Sequence, residues 1–163
     1  MYEYEYERPG FSVDAVVFWH DENKSVNDTP EALLIKRKNE ALPGGFVERH
    51  ETAIDAVVRE LYEETGILAD GMYQIGIADN PLRDPRGWTI SIYFTNVCIG
   101  EKPIVKGSDD ATEARWFTFD EIRELIENNQ LAFDHEEMIT SCCENATEQL
   151  VEYRTKKALQ GKG

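Results

Sequence analysis

The sequence predicts a mixed α/β (α+β) fold, a sheet with helices packed on it, in one domain covering residues 1–163. Three observations carry this. Runs rich in β-branched and aromatic residues alternate along the chain with stretches of helical apolar spacing. No internal repeat, low-complexity tract or linker interrupts them. The 163 residues, 41% hydrophobic and 30% charged, suffice for one buried core under a charged surface.

The elements follow in order. "YEYEYE" from Tyr2 alternates with period two, so residues 1–10 read as an edge strand whose charges deter aggregation, or which adds to a partner subunit's sheet. "SVDAVVFWH" from Ser12 reads as a largely buried strand, and "DENKSVNDTP" as a polar loop. "ALLIKRK" from Ala32 is a second strand, and "ALPGGFV" from Ala41 holds a Pro-Gly-Gly turn. "TAIDAVVRELYEETG" from Thr52 is the clearest helix. Thr52 serves as N-cap with Asp55 three residues on, a near capping box. Ile54, Val57, Val58, Leu61 and Thr65 fall on the core side, and Gly66 suits the left-handed position past the helix end. "MYQIGIAD" from Met72 and "WTISIYFTNVCI" from Trp88 read as strands around the loop "NPLRDPRG". "ARWFTF" from Ala114 is a short strand and "DEIRELIENN" from Asp120 a short helix. The last helix starts near Asp134, with Glu137 completing a capping box. It carries Met138, Ile139, Cys142, Ala146, Leu150 and Tyr153 at helical spacing.

Composition narrows the class. Thirty-two acids against 17 bases give a net charge of −15, which argues against binding the backbone of a nucleic acid. Such a protein can still act on an anionic small molecule if metal ions mediate the contact. The three cysteines, Cys98, Cys142 and Cys143, have no Cys-x-x-Cys spacing, so neither a disulfide framework nor a thiolate zinc site is expected. The N-terminus lacks a secretory apolar core, and "AVVFW" from Ala15 is far too short to span a bilayer. A cytoplasmic protein with no membrane contact is the expectation.

"RELYEETG", from Arg59 to Gly66, poses a chemical question. On a helix Glu60, Glu63 and Glu64 point to one side, where they repel each other close to a C-terminus that itself disfavours anions. A solvated acidic face is the plain explanation. A fixed helix beside a Pro-Gly-Gly turn, with Arg59 to orient a carboxylate, offers another: a hard oxygen site for Mg²⁺ or Mn²⁺ that would offset the repulsion. Such a metal binds phosphate oxygens and activates water.

The segment Gly45–Ile67 resembles the signature of the Nudix hydrolases. Gly45 is followed after "FVERH" by Glu51. Seven residues later come Arg59 and Glu60, then Leu61, Glu63, Glu64, Gly66 and Ile67, so every fixed position is filled. The resemblance implies a Nudix fold, a mixed sheet sandwiched between helices, and hydrolysis of a nucleoside diphosphate linked to another group. It implies Glu60, Glu63, Glu64 and the Gly44 carbonyl as metal ligands for Mg²⁺, with Mn²⁺ as a substitute. It also implies Arg59 as the residue orienting the glutamates and Glu51 as the outer acid. The general base is left open between a glutamate of the motif and the loop acids Asp109, Asp110 and Glu113.

"SVDAVVF", "RDPRGWTISIYF" from Arg83, "DDATEARWF" from Asp109 and "LAFDH" from Leu131 are similar to the ADP-ribose pyrophosphatase branch. That branch implies AMP and ribose 5-phosphate as products. Arg83 and Arg86 read either as solvated loop arginines or as a bidentate pair for a pyrophosphate. Phe133 and His135 are the further substrate-binding candidates, and Tyr6, Phe11 and Trp88 are candidates for an adenine face. The branch includes regulators with an added DNA-binding domain, for which this length leaves no room. Related enzymes also suggest a homodimer. Two other readings stay open: a nucleoside triphosphate pool-cleaning pyrophosphohydrolase and a non-catalytic ADP-ribose sensor.

Overall fold

The computed structural model of the chain describes residues 3–106 and 113–161. Its strands form one mixed sheet. Strand β1 (Gly10–His20) runs antiparallel to β2 (Glu31–Lys36) on one side and parallel to β6 (Thr89–Ile99) on the other. With β3 (Glu40–Ala41) beyond β2 and β5 (Tyr73–Ala78) beyond β6, the order is β3-β2-β1-β6-β5. Strand β4 (Gly44–Phe46) pairs with β1, and β7 (Glu113–Phe117) pairs with β2.

Helices cover both faces, which explains why β1 reads as an unbroken apolar run rather than an alternating one. Val13, Ala15 and Val17 point into the layer under α1 (Ala53–Thr65). Val16 and Phe18 point the other way, under α2 (Phe119–Glu127) and α3 (His135–Gln160). Val57 and Leu61 of α1 are fully buried, and each anchors the helix by roughly 1.5–3 kcal/mol. Thr52 and Asp55 form a reciprocal capping box, and Gly66 ends the helix at φ 75°. The glutamates of α1 therefore stand on a helix fixed at both ends and along its inner face. All three cysteines are free, and no helix among the described residues is long and apolar enough to cross a membrane.

Several expectations need correction. Residues 3–9 form no strand, and Tyr4 and Tyr6 are exposed. The parallel register starts at Gly10 against Thr89, where β6 itself starts. Gly44 and Gly45 lie within β4, paired with Asp14 and Val13, rather than in a turn. Strand β2 stops at Lys36, and Arg37 and Asn39 bond across the tight turn into β3. Ile54 is exposed, while Glu64 takes a buried place on α1. Asp134 makes no side-chain capping bond, because its carboxylate is engaged elsewhere.

Candidate active site

A cavity of about 570 Å³ opens between β1, β4, the inner face of α1, the loop before β6 and the start of α3. Its position follows from two glycines. A Cβ on Gly44 would lie 2.2 Å from the Val13 carbonyl, so only glycine lets β4 lie this close to β1. A Cβ on Gly45 would lie 2.3 Å from Glu60 Oε1. The missing side chain is the space that the Glu60 carboxylate occupies.

Glu64 is almost wholly buried here. Its Oε2 accepts the Gly44 N–H at 2.8 Å, and its Oε1 accepts from the Arg37 guanidinium. The same Arg37 nitrogen donates to the Gly44 carbonyl at 2.8 Å. Burial pushes the Glu64 carboxyl above the usual carboxylate range, while Arg37 and the Gly44 N–H pull it back. Arg59 organises the other carboxylates. It donates to Glu51 through Nη2 at 2.6 Å and Nε at 3.1 Å, to Glu60 at 2.7 Å and to the Phe46 carbonyl at 3.2 Å. Hydrogen bonding from Arg59 holds the Glu51 carboxyl below the carboxylate range, and Glu51 in turn holds Arg59 charged. Glu63 sits 3.3 Å from Arg59 but points outward and lies outside the cavity lining.

The opposite wall is a buried polar network. Arg83 makes a bidentate contact with Asp134, at 2.6 and 2.8 Å, and its side chain is 4% exposed. It is thus a cross-brace between the loop and α3 rather than a solvated loop arginine. Burial opposes the charge on Arg83, but Asp134 and Asp14 outweigh it and raise its pKa. Arg86 pairs with Asp84 at 2.8 Å and stays largely exposed. His135 is buried: its Nδ1 accepts the Leu42 N–H at 3.0 Å, and its Nε2 faces Asp14 Oδ1 at 3.5 Å. Ser91 donates to the other Asp14 oxygen at 2.5 Å. Phe133, exposed, stands beside His135 in the cavity lining.

The candidates thus divide. Glu60, Glu64, Gly44, Arg83, Arg86, Phe133 and His135 line one cavity, and Arg59 braces it from behind. Glu113 does not join them: it opens β7 opposite Lys36 and is exposed. Asp109 and Asp110 lie outside the described residues. Tyr6, Phe11 and Trp88 are exposed and outside the cavity lining. Sequence reading missed Asp14 and Arg37. Asp14 had a signal, since an acid inside the apolar run of a two-sided strand must be paired or functional. Arg37, in the middle of "KRK", had none beyond its charge.

No three carboxylate, histidine or cysteine side chains among the described residues converge as a ready metal site. The donor chemistry nonetheless suits a hard divalent cation, because Glu60, Glu64 and the Gly44 carbonyl offer oxygen alone to one cavity. A cationic group, the Arg37 guanidinium, already seats on two of these three.

Comparison with known proteins agrees with this geometry. The family model described as the NUDIX domain matches residues 10–142. The chain is 42% identical over 140 residues to the ADP-ribose pyrophosphatase of Methanocaldococcus jannaschii, covering 82% of this chain and 73% of that protein. It is 30% identical over 143 residues to the ADPR responsive transcriptional repressor NtrR of Acinetobacter baylyi, covering 83% of this chain but 53% of the repressor. Among solved structures it resembles the bifunctional NMN adenylyltransferase/ADP ribose pyrophosphatase of Francisella tularensis, complexed with AMP and a Mn ion. There the TM-score is 0.73 at 30% identity, over 88% of this chain and 43% of that one. The paired glycines of β4, the carboxylates of α1 and the extent of the match lead to one conclusion: the chain belongs to the NUDIX domain family, as a Nudix hydrolase.

Proposed function

We propose that the chain hydrolyses the pyrophosphate bond of ADP-ribose, or of a closely related nucleoside diphosphate derivative, to AMP and ribose 5-phosphate. The observation that carries this is the cavity itself. It joins an all-oxygen donor set, Glu60, Glu64 and the Gly44 carbonyl, to a cationic rim of Lys36, Arg37, Lys38 and Arg86, in a chain with 42% identity to an ADP-ribose pyrophosphatase. Glu60, Glu64 and the Gly44 carbonyl, with Glu63 as a further ligand, would hold Mg²⁺, or Mn²⁺ in its place, which would supply charge to the pyrophosphate and acidity to water.

The chain's own residues do the rest. Arg59 fixes Glu60 and Glu51 so that the carboxylates need little reorganisation to receive a cation. Arg37 and Arg86 present guanidinium groups whose planar donors match phosphate oxygens. Arg83 keeps the far wall in place through Asp134. A glutamate of α1 removes the proton from the attacking water, a reading supported by Glu60 and Glu64 in the cavity lining. We further propose a cytoplasmic homodimer, in which the N-terminal segment, with Tyr6 exposed, packs on a second copy.

Product analysis tests the reaction. Purified protein incubated with ADP-ribose, with and without Mg²⁺, and resolved by anion exchange is expected to release AMP only with the metal. A monophosphate and pyrophosphate from a nucleoside triphosphate, with no AMP from ADP-ribose, would identify a pool-cleaning enzyme instead. Binding of ADP-ribose without turnover would identify a sensor.

A further inference from the structure

Two arginines hold the carboxylates of α1, and they hold them differently. Arg59 uses every nitrogen of its guanidinium, on Glu51, Glu60, Glu63 and the Phe46 carbonyl. Arg37 uses one. Its Nη2 donates to both Glu64 and the Gly44 carbonyl, and among the described residues its Nε and Nη1 have no hydrogen-bond partner. Its side chain is 37% exposed, against 24% for Arg59, and springs from the tight turn after β2 rather than from a helix. It lines the inner cavity and also an adjoining one of about 420 Å³, so open space lies beside it. Glu64 has no such freedom, because its other oxygen accepts the Gly44 N–H at 2.8 Å. A guanidinium and a divalent cation cannot both occupy Glu64 and the Gly44 carbonyl, since like charges at contact distance repel strongly where water is scarce. Of the two arginines, Arg37 is the one built to leave.

We propose that Arg37 is an exchange cation. In the metal-free protein it neutralises the oxygens of Glu64 and Gly44. It leaves them when a divalent cation arrives, and then donates to the pyrophosphate of the substrate, while Arg59 stays in place. Without the metal, the cavity keeps its charge balanced and one of its phosphate donors engaged. Metal loading and phosphate binding are thereby coupled, because the guanidinium becomes free for the anion only once the cation is seated. The inference rests on the metal and pyrophosphate reading of the inner cavity.

The test is Mn²⁺ binding, by electron paramagnetic resonance and without substrate, to the wild type, Arg37→Ala, Arg37→Gln and Lys38→Ala. Arg37→Gln keeps a donor for Glu64 should Arg37→Ala fail to fold. Removing the competing cation is expected to tighten Mn²⁺ binding about tenfold in both Arg37 variants. Lys38 lines the same cavity without a bond to Glu64 or Gly44 among the described residues, so Lys38→Ala controls for loss of charge alone. It is expected to change Mn²⁺ affinity by less than about twofold. In nitrogen-15 spectra of the wild type, the Arg37 Nη2 protons, assigned by their loss in Arg37→Gln, should be visible with a chelator and vanish into solvent exchange with Mg²⁺. With Mg²⁺ present, Arg37→Gln should bind inorganic pyrophosphate about tenfold more weakly than the wild type. Unchanged or weaker Mn²⁺ binding by the Arg37 variants, an equal gain in Lys38→Ala, an Arg37 signal that survives Mg²⁺, or undiminished pyrophosphate binding overturns the exchange. No Mn²⁺ binding by any of the proteins overturns the metal centre beneath it instead.

Discussion

Arg37 and Glu64, both lining the cavity, form an ion pair, and the nitrogen that contacts Glu64 also donates to the Gly44 carbonyl at 2.8 Å. Glu64 is 5% exposed, so its charge has little solvent to fall back on. Two of the three oxygen groups assigned to a metal therefore share one guanidinium. Any divalent cation that uses both must displace it.

That relationship sets the first expectation. Arg37→Ala leaves a buried carboxylate unpaired and should cost about 1.5–3 kcal/mol in the presence of a chelator. For a domain of this size each kcal/mol lowers Tm by about 2–4 °C. Adding Mg²⁺ should narrow the gap between variant and wild type, since the cation would replace the lost charge. Thermal melts with chelator and with Mg²⁺ measure both quantities.

The two glycines of β4 should separate fold from site. Gly44→Ala places a methyl group 2.2 Å from the Val13 backbone carbonyl, which cannot yield without breaking the β1–β4 pairing. Its expected result is a large loss of stability by denaturant titration. Gly45→Ala meets the carboxylate end of the Glu60 side chain, at 2.3 Å, rather than backbone. This variant should fold with a similar unfolding midpoint and lose divalent-metal affinity as Glu60 is pushed aside, which Mn²⁺ titration by electron paramagnetic resonance would detect.

His135 gives the chain a dependence on pH. Burial lowers its pKa below the ordinary 6.5, against the raising influence of Asp14 and Asp134 and with that of Arg83 and Arg37. The neutral ring also accepts the Leu42 N–H through Nδ1, a bond that protonation removes. A depressed histidine value means that its contribution is fully present above pH 6.5 and is lost as pH falls through the folded value. Urea midpoints measured from about pH 7.5 down to about pH 5 should fall more steeply for the wild type than for His135→Gln.

How far the sequence carried the reading can be judged from particular residues. The capping box at Thr52, the left-handed Gly66 and the two-sided burial of β1 were all legible, because each depends on local chemistry or apolar pattern. The motif from Gly45 to Ile67 located the carboxylates but not their different surroundings. Glu64 is buried and Glu63 exposed although the two are adjacent, because helix rotation relative to β4 decides which faces the cavity. Asp134 looked like an N-cap. Its carboxylate instead holds Arg83, which lies 51 positions earlier in the chain, and such a partner is invisible to local pattern. Tyr2–Tyr6 alternated like a strand, but residues 3–9 form none, and the register with β6 starts at Gly10. Of Tyr6, Phe11, Trp88 and Phe133, Phe133 lines the cavity, with its backbone at a positive φ that no periodicity signals.

The metal assignment is tested most directly by Glu64→Gln. This substitution keeps the shape of the side chain and an oxygen to accept the Gly44 N–H, while removing the charge that a cation needs. With saturating Mg²⁺ and ADP-ribose, kcat is expected to fall by about a hundredfold or more, with far-UV circular dichroism and Tm close to the wild type. A folded Glu64→Gln protein that releases AMP at nearly the wild-type rate would contradict the assignment of Glu64 as a metal ligand and, with it, the proposed centre.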